Sequence, residues 1–409
     1  MTGKSVPVTA QPAEDKPYYA GIDIIKILAA FFVVCIHFFL RSGFYDAPMS
    51  DTRYVPFLAV RFLVYNCVPL FMISTGFLMK NKRFSAGYYK GLIKVVVIYV
   101  FISLLCIRFN TVQLDMVYTK WDILRGMLMY TNDSYAWYVN YYLSLFFIIP
   151  FLNSAFNGLR TQRERLALVI SVTMITVAAR SFFIGFDPEK QSAVLPYYLS
   201  DMWPLAYYFV GAYIREYPPV KERYKIKLLA FIIMLTALCF VTWSTLEQSL
   251  DNAENGQKFT SRHFDTDGNG SYPVFIMSVC IFILLFDIKV NNRGARFVLR
   301  HVGETTLALY LISFIFDTKN YFGLDPERKT LHQRLFFFLY DDGSIGFNEK
   351  YPDIYTRCTH CYEIIFKNFF SSLFWALVIT NGYKLFVYCF KRLTDAVRSK
   401  NAAAKNNDT

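Results

Sequence analysis

The chain has 409 residues, of which 55% are hydrophobic and only 18% charged, against about a quarter charged in a soluble domain. Its formal net charge is +12, which in a soluble protein would suggest nucleic acid. The basic residues instead sit in short segments between apolar runs, so the charge reads as membrane topology and attraction to anionic lipid, not as a nucleic-acid surface.

The first stretch, Met1 to Lys16, is polar and lacks an apolar core, so no cleavable signal peptide is expected. A bilayer core of ~30 Å needs ~20 apolar residues in a helix. Runs of that kind lie near 21–41, 57–79, 88–109, 137–156, 165–184, 197–214, 226–246, 271–287, 298–316 and 363–390. The expected fold is all-α: a polytopic bundle of about ten membrane helices over 17–392, with polar tails at 1–16 and 393–409, the second disordered. Phe and Tyr, at 41 and 30 residues, suit lipid-facing surfaces and interfacial belts. Cys35, Cys67, Cys106, Cys239, Cys280 and Cys389 lie inside the apolar runs, so no disulfide framework is expected.

The positive-inside rule sets the orientation. With the N-terminus inside, segments 80–94, 157–165, 214–228 and 287–300 are cytoplasmic and hold 17 Lys and Arg in 53 residues. Segments 42–56, 110–136, 185–196 and 247–270 are outside and hold 6 in 78. An even number of helices returns the C-terminus inside, where Lys391, Arg392, Arg398 and Lys400 agree. The outer segment 317–362 carries Phe336, Phe337 and Phe338, read as a short interfacial helix.

The first run contains Asp23, Lys26 and His37. Ionisable residues in a membrane helix are costly and therefore functional candidates. Asp23 and Lys26 are i, i+3 neighbours. His37 follows Lys26 by eleven residues, close to three turns, so both can face one cavity ~16 Å apart. A snorkelling ion pair for Asp23 and Lys26, and a helix–helix hydrogen bond for His37, are the structural alternatives.

This pattern resembles the first helix of the membrane acyltransferases of acyltransferase family 3, where an Asp-Gly-Leu-Arg-like segment precedes a His eleven residues after the Arg. Val68-Pro69-Leu70-Phe71-Met72-Ile73-Ser74-Thr75-Gly76-Phe77-Leu78 is similar to the family's second-helix stretch. Trp137-Tyr138-Val139-Asn140 through Pro150-Phe151-Leu152-Asn153 resembles its fourth helix. Phe209-Val210-Gly211-Ala212-Tyr213 and Leu309-Tyr310-Leu311-Ile312 resemble later landmarks. The resemblance covers about 17 to 390 and implies a multi-pass protein of the bacterial inner membrane. It implies transfer of an acyl group, usually acetyl from acetyl-CoA, to a hydroxyl of an envelope polysaccharide or lipid-linked glycan. It implies no bound cofactor and makes His37 the essential His. Lys26 stands where an Arg is usual, and Lys lacks the planar fork of Arg. Ser313 stands where many members carry a second His, so that residue's role does not carry over.

O-acylation needs a base for the attacking hydroxyl, which suits His, and a donor for the developing oxyanion. Arg61, Asn140, Arg180 and Asp201 are expected at the depth of His37. Arg61 and Arg180 are candidates for substrate orientation or charge stabilisation, and Asp201 for fixing the His37 tautomer; ordinary interfacial residues would have the same spacing. Lys80, Lys82, Arg83 and Lys94 line the inner face, where CoA phosphates would arrive, or serve topology alone. No metal site is expected: Cys358-Thr359-His360-Cys361 with His332 upstream reads as a local disulfide or free thiols before zinc. Asp265-Thr266-Asp267-Gly268-Asn269-Gly270 reads as a turn, since it lacks the later Glu of an EF-hand. A transporter or flippase for a lipid-linked or acyl substrate, and an inactive acyltransferase-like subunit, remain as rivals.

Overall fold

The computed structural model describes residues 18–49, 51–178, 197–219, 222–254, 268–323 and 345–407. Among these the chain is helical with no strand, as expected for an all-α membrane bundle. The principal helices are α1 (Ala20–Arg41), α2 (Val55–Val64), α3 (Cys67–Met79), α4 (Leu92–Gln113), α5 (Lys120–Leu128), α6 (Trp137–Gly158), α7 (Gln162–Thr173), α8 (Trp203–Glu216), α9 (Arg223–Glu254), α10 (Tyr272–Leu285), α11 (Arg293–Gly303), α12 (Thr306–Phe322) and α13 (Cys361–Asn407).

Six segments of the described residues are long and apolar enough to cross a membrane: Ala20–Arg41, Thr52–Met79, Ala86–Gln113, Trp137–Gly158, Arg223–Glu254 and Cys361–Arg398. The pair α11 and α12, bent by 58°, makes a seventh if it is one span. The other expected spans differ in kind. The apolar helix Tyr272–Leu285 has 14 residues. Segment 197–214 begins as a 3₁₀ turn before α8, and 165–184 passes through a π-helical turn at Met174–Ala178 into residues outside the described set. At the C-terminus, the tail expected to be disordered continues α13 to Asn407. Ala402, Ala403, Ala404 and Lys405 are strong helix formers, which the charge-rich composition concealed.

Two helices face outward over most of their length. Leu228, Leu229, Phe231 and Ile232 on α9, and Phe366, Phe370 and Phe374 on α13, are exposed, as lipid-facing helices require. Elsewhere small residues let backbones meet. A Cβ on Gly76 of α3 would overlap the Tyr208 carbonyl of α8, and one on Gly211 of α8 would overlap the Ile73 carbonyl. This two-sided contact is how helices associate where lipid removes the hydrophobic drive. Gly21 of α1 meets Leu285 and Phe286 at the end of α10 in the same way. The break between α2 and α3 is covered by Asn66, whose amide donates to Phe62 and Leu63 carbonyls at 3.0 and 2.9 Å and accepts from Ser278 at 2.6 Å. Its freed carbonyls are therefore not left bare in an apolar layer.

These contacts sort the bundle into two ends. Tyr19, Met79, Leu92, Glu216 and Arg223 lie at one end, with the basic segments; Arg41, Tyr135, Asp317 and Cys361 lie at the other. At this second end Arg357 donates to the carbonyls of Ser42, Asn348 and Tyr351 at 2.7, 2.9 and 2.6 Å. It ties the segments after α1 and before α13 together over His37.

Candidate active site

His37 lies in the fifth turn of α1 and is 7% exposed. Its Nδ1 is 3.0 Å from Oδ2 of Asp317 on α12. A carboxylate can only accept, so Nδ1 carries a proton, and in the neutral imidazole that leaves the lone pair on Nε2. Nε2 makes no hydrogen bond among the described residues. Asp317 is fully buried and takes two further donors: the Tyr135 hydroxyl at 2.9 Å on the same oxygen, and the Asn368 amide of α13 at 2.6 Å on the other. Asn320, one turn on in α12, donates to Asn368 at 2.5 Å. Three donors on one buried carboxylate offset the cost of placing it in an apolar bundle.

Tyr135 lies in the turn before α6 and stacks on His37, with ring centroids 3.7 Å apart. Its backbone carbonyl accepts from the Tyr310 hydroxyl, and its own hydroxyl accepts from Arg41 Nε at 3.0 Å. Arg41 is one helical turn beyond His37, and its guanidinium also lies over the rings of Tyr135 and Phe314. The remaining guanidinium N–H groups make no hydrogen bond among the described residues. The imidazole is thus held in plane by a ring and in tautomer by a carboxylate.

A cavity of about 250 Å³ runs below this cluster. Lys26, Lys94 and Glu304 line its lower part, Ser74, Thr75 and Phe71 its middle, and Tyr138 and Tyr310 its upper part. The Tyr310 ring centroid is 6.5 Å from that of His37. Lys26 Nζ pairs with Asp23 at 2.7 Å. Asp23 is seated against Gly303, where a Cβ would come within 2.7 Å of its carboxylate. Lys94 Nζ donates to the Glu304 carbonyl at 3.4 Å, and Glu304 pairs with Lys384 at 2.7 Å.

The sequence-derived residues divide accordingly. Asp23 and Lys26 stand at the lower cavity, about 21 and 16 Å from His37 along α1, so they attend its entrance and not the imidazole. Lys94 joins them. Lys80 is buried and pairs with Glu216, which also takes Arg165 at 2.8 Å, so it is committed to holding α3 to α8. Lys82 and Arg83 are exposed in the turn after α3. Arg61 is buried but donates to the Tyr45 hydroxyl at 3.0 Å and lies among Tyr45, Phe62 and Tyr65, with no contact to His37. Asn140 is exposed on the outer face of α6, accepting from Ser144 at 3.4 Å. Asp201 is exposed; the carboxylate that fixes the His37 tautomer is Asp317. Arg180 lies outside the described residues, as do His332, Phe336 to Phe338, and Asp265 to Asp267. Ser313 hydrogen-bonds the Tyr310 carbonyl at 2.7 Å, and Asp317 follows it by one turn.

Cys358 and Cys361 are free thiols, and burial pushes the Cys358 thiol up to about 12. His360 turns back to the Thr356 carbonyl at 2.9 Å and stacks on Tyr351. Among the described residues no three His, Cys, Asp or Glu side chains converge as metal ligands.

A family model described as an acyltransferase domain, that of acyltransferase family 3, matches residues 19–340. That match spans α1 through α12 and so includes His37, Tyr135 and Asp317. No curated protein and no solved structure matches the chain.

Proposed function

Because the chain belongs to acyltransferase family 3, we propose that it is a membrane-bound O-acyltransferase moving acetyl from acetyl-CoA to a hydroxyl of an envelope polysaccharide or its lipid-linked precursor. The basic end faces the cytoplasm of a bacterial inner membrane, and the His37 end faces outward. The observation that carries this reading is the buried His37–Asp317 pair beside Tyr310, which lines the far end of a cavity that begins at Lys26 and Lys94.

The donor enters from the basic end with its thioester directed up the cavity. Lys26 and Lys94 meet its polar arm as point charges, a contact Lys makes without the bidentate fit of Arg. The acceptor hydroxyl approaches from the opposite end. His37 Nε2 takes the hydroxyl proton as the oxygen attacks the thioester carbonyl carbon. The tetrahedral intermediate collapses, the carbon–sulfur bond breaks, and the imidazolium returns the proton to the leaving thiolate. Asp317 stabilises the transient imidazolium across Nδ1 and holds the ring through both steps. Arg41, with guanidinium N–H groups to spare next to Tyr135, supplies positive charge for the developing oxyanion.

The test uses purified protein with acetyl-CoA and a glycan acceptor, following thiol release. His37→Ala should lower acceptor-dependent turnover by about 10²- to 10⁴-fold while leaving the chain folded. Unchanged turnover would remove His37 from the chemistry. Movement of a lipid-linked or acyl substrate across vesicles with no thiol release would favour a carrier.

A further inference from the structure

A second cavity, of about 720 Å³, lies at the basic end beneath the first. Arg215, Lys289 and Arg296 line it with Tyr18, Tyr19, Phe77 and Asp287. Its three cations have no acidic partner among the described residues. Arg215 lies over the Tyr19 ring at 4.1 Å and the Phe77 ring at 4.9 Å, and its guanidinium makes no hydrogen bond or ion pair among the described residues. The neighbouring acids are spent elsewhere. Glu216 takes Lys80 and Arg165. Asp287 takes Arg223 and Lys227, the latter at 2.7 Å. An arginine held against two aromatic rings, with no hydrogen bond of its own, keeps its fork of donors available, and clustered unpaired cations in a concave wall raise the local concentration of anions.

The two cavities are in line. Tyr19, which caps α1, and Lys26 are seven residues apart, as are Arg296 and Gly303 on α11. Seven residues is nearly two full turns, so each pair lies on one helix face about 10 Å apart. α1 and α11 pack on each other through Asp23 and Gly303, and the Tyr18 hydroxyl reaches the Arg296 carbonyl at 3.4 Å. One face of α1 therefore passes Tyr19, Lys26 and Val33 before His37, over about 27 Å.

We infer that the lower cavity is an organophosphate site, in which Arg215, Arg296 and Lys289 bind the phosphorylated nucleotide end of the donor while its acyl arm runs up past Lys26. This rests on the acyltransferase reading for its direction, but binding of the phosphate-bearing group is separable from turnover. Phosphate chemistry is also offered by an anionic lipid headgroup, and the experiment distinguishes the two sources.

Purified full-length protein in neutral-lipid nanodiscs is titrated with adenosine 3′,5′-bisphosphate, a probe that carries phosphates and no acyl group. Binding is expected for the parent and for His37→Ala alike. Arg215→Gln should weaken it about tenfold or more, the effect of losing one charge-assisted pair. Arg296→Gln, at an exposed position, should weaken it in the same direction and serves if Arg215→Gln does not fold. The KM for acetyl-CoA should rise in these variants, while that for acetyl-pantetheine, which lacks the nucleotide, should not. Equal nucleotide affinity in parent and variants, or none in any, overturns the site. Retention of phosphatidylglycerol by the parent and its loss in Arg215→Gln, with no nucleotide binding, overturns the donor assignment in favour of a lipid headgroup. If His37→Ala keeps full turnover while nucleotide binding behaves as stated, the catalytic reading fails and the phosphate site stands.

Discussion

Asp317 lies 280 residues beyond His37 in the chain, yet its carboxylate is 3.0 Å from the imidazole Nδ1 and is fully buried. A buried carboxylate bound to a buried imidazole, with a second and a third donor on its other lone pairs, costs a membrane bundle a great deal of solvation. Its value lies in fixing the proton on Nδ1 and leaving Nε2 a base.

Tyr135 joins this pair to Arg41, since one hydroxyl donates to Asp317 and accepts from Arg41. Tyr135→Phe keeps the ring that stacks on His37 and removes that bridge. Turnover should fall about tenfold, with a stability loss of about 1–2 kcal/mol from the unpaired groups. Parallel kinetics and thermal unfolding check this; a stability loss with full turnover would make the tyrosine structural only.

Part of this arrangement is legible in the sequence. The eleven-residue interval from Lys26 to His37 places both on one face of α1, and the structure puts one at the cavity entrance and the other near its head. Asp317 was hidden because the apolar run of α12 stops at Phe316, so the Asp reads as the start of an outer loop. The helix in fact continues to Phe322, and nearly every side chain of α12 is buried, which leaves no polar face to mark its inward side. Tyr135 sits in a turn that hydropathy cannot orient. Asn140 and Arg61 show the complementary failure: membrane depth follows from position in a run, but the direction of a side chain does not. Asn140 faces away from the bundle and Arg61 turns to Tyr45.

The cavity itself gives a second prediction. Thr75 lines it between Lys26 and Tyr310 and hydrogen-bonds only its own helix, to Phe71 at 2.9 Å. Thr75→Trp fills that space without touching the His37 cluster. The KM for acetyl-CoA should rise about tenfold or more, with affinity for the acceptor unchanged. A variant with the parent's donor KM would mean that the donor does not use this passage.

Asp133 offers a test by pH. It is fully buried in the turn before α6, with Oδ1 accepting from the Tyr135 amide at 2.9 Å and Oδ2 without a hydrogen-bond partner. Burial pushes its carboxyl up to about 7. The folded state therefore holds this proton more tightly than the unfolded state. The associated stability is present at acid pH and is lost as pH rises from about 4 through 7. Thermal unfolding of the parent should weaken across that window, and Asp133→Asn should flatten the profile. The same slope in both proteins would show that another group is responsible.

The most direct measurement of the central claim is the turnover of Asp317→Asn at saturating acetyl-CoA and acceptor. An amide there matches the carboxylate in size but removes the charge that fixes the imidazole tautomer and steadies the imidazolium. The account predicts that kcat falls by about 10²-fold or more while the donor KM stays near that of the parent. A folded Asp317→Asn protein with kcat within about twofold of the parent would contradict it.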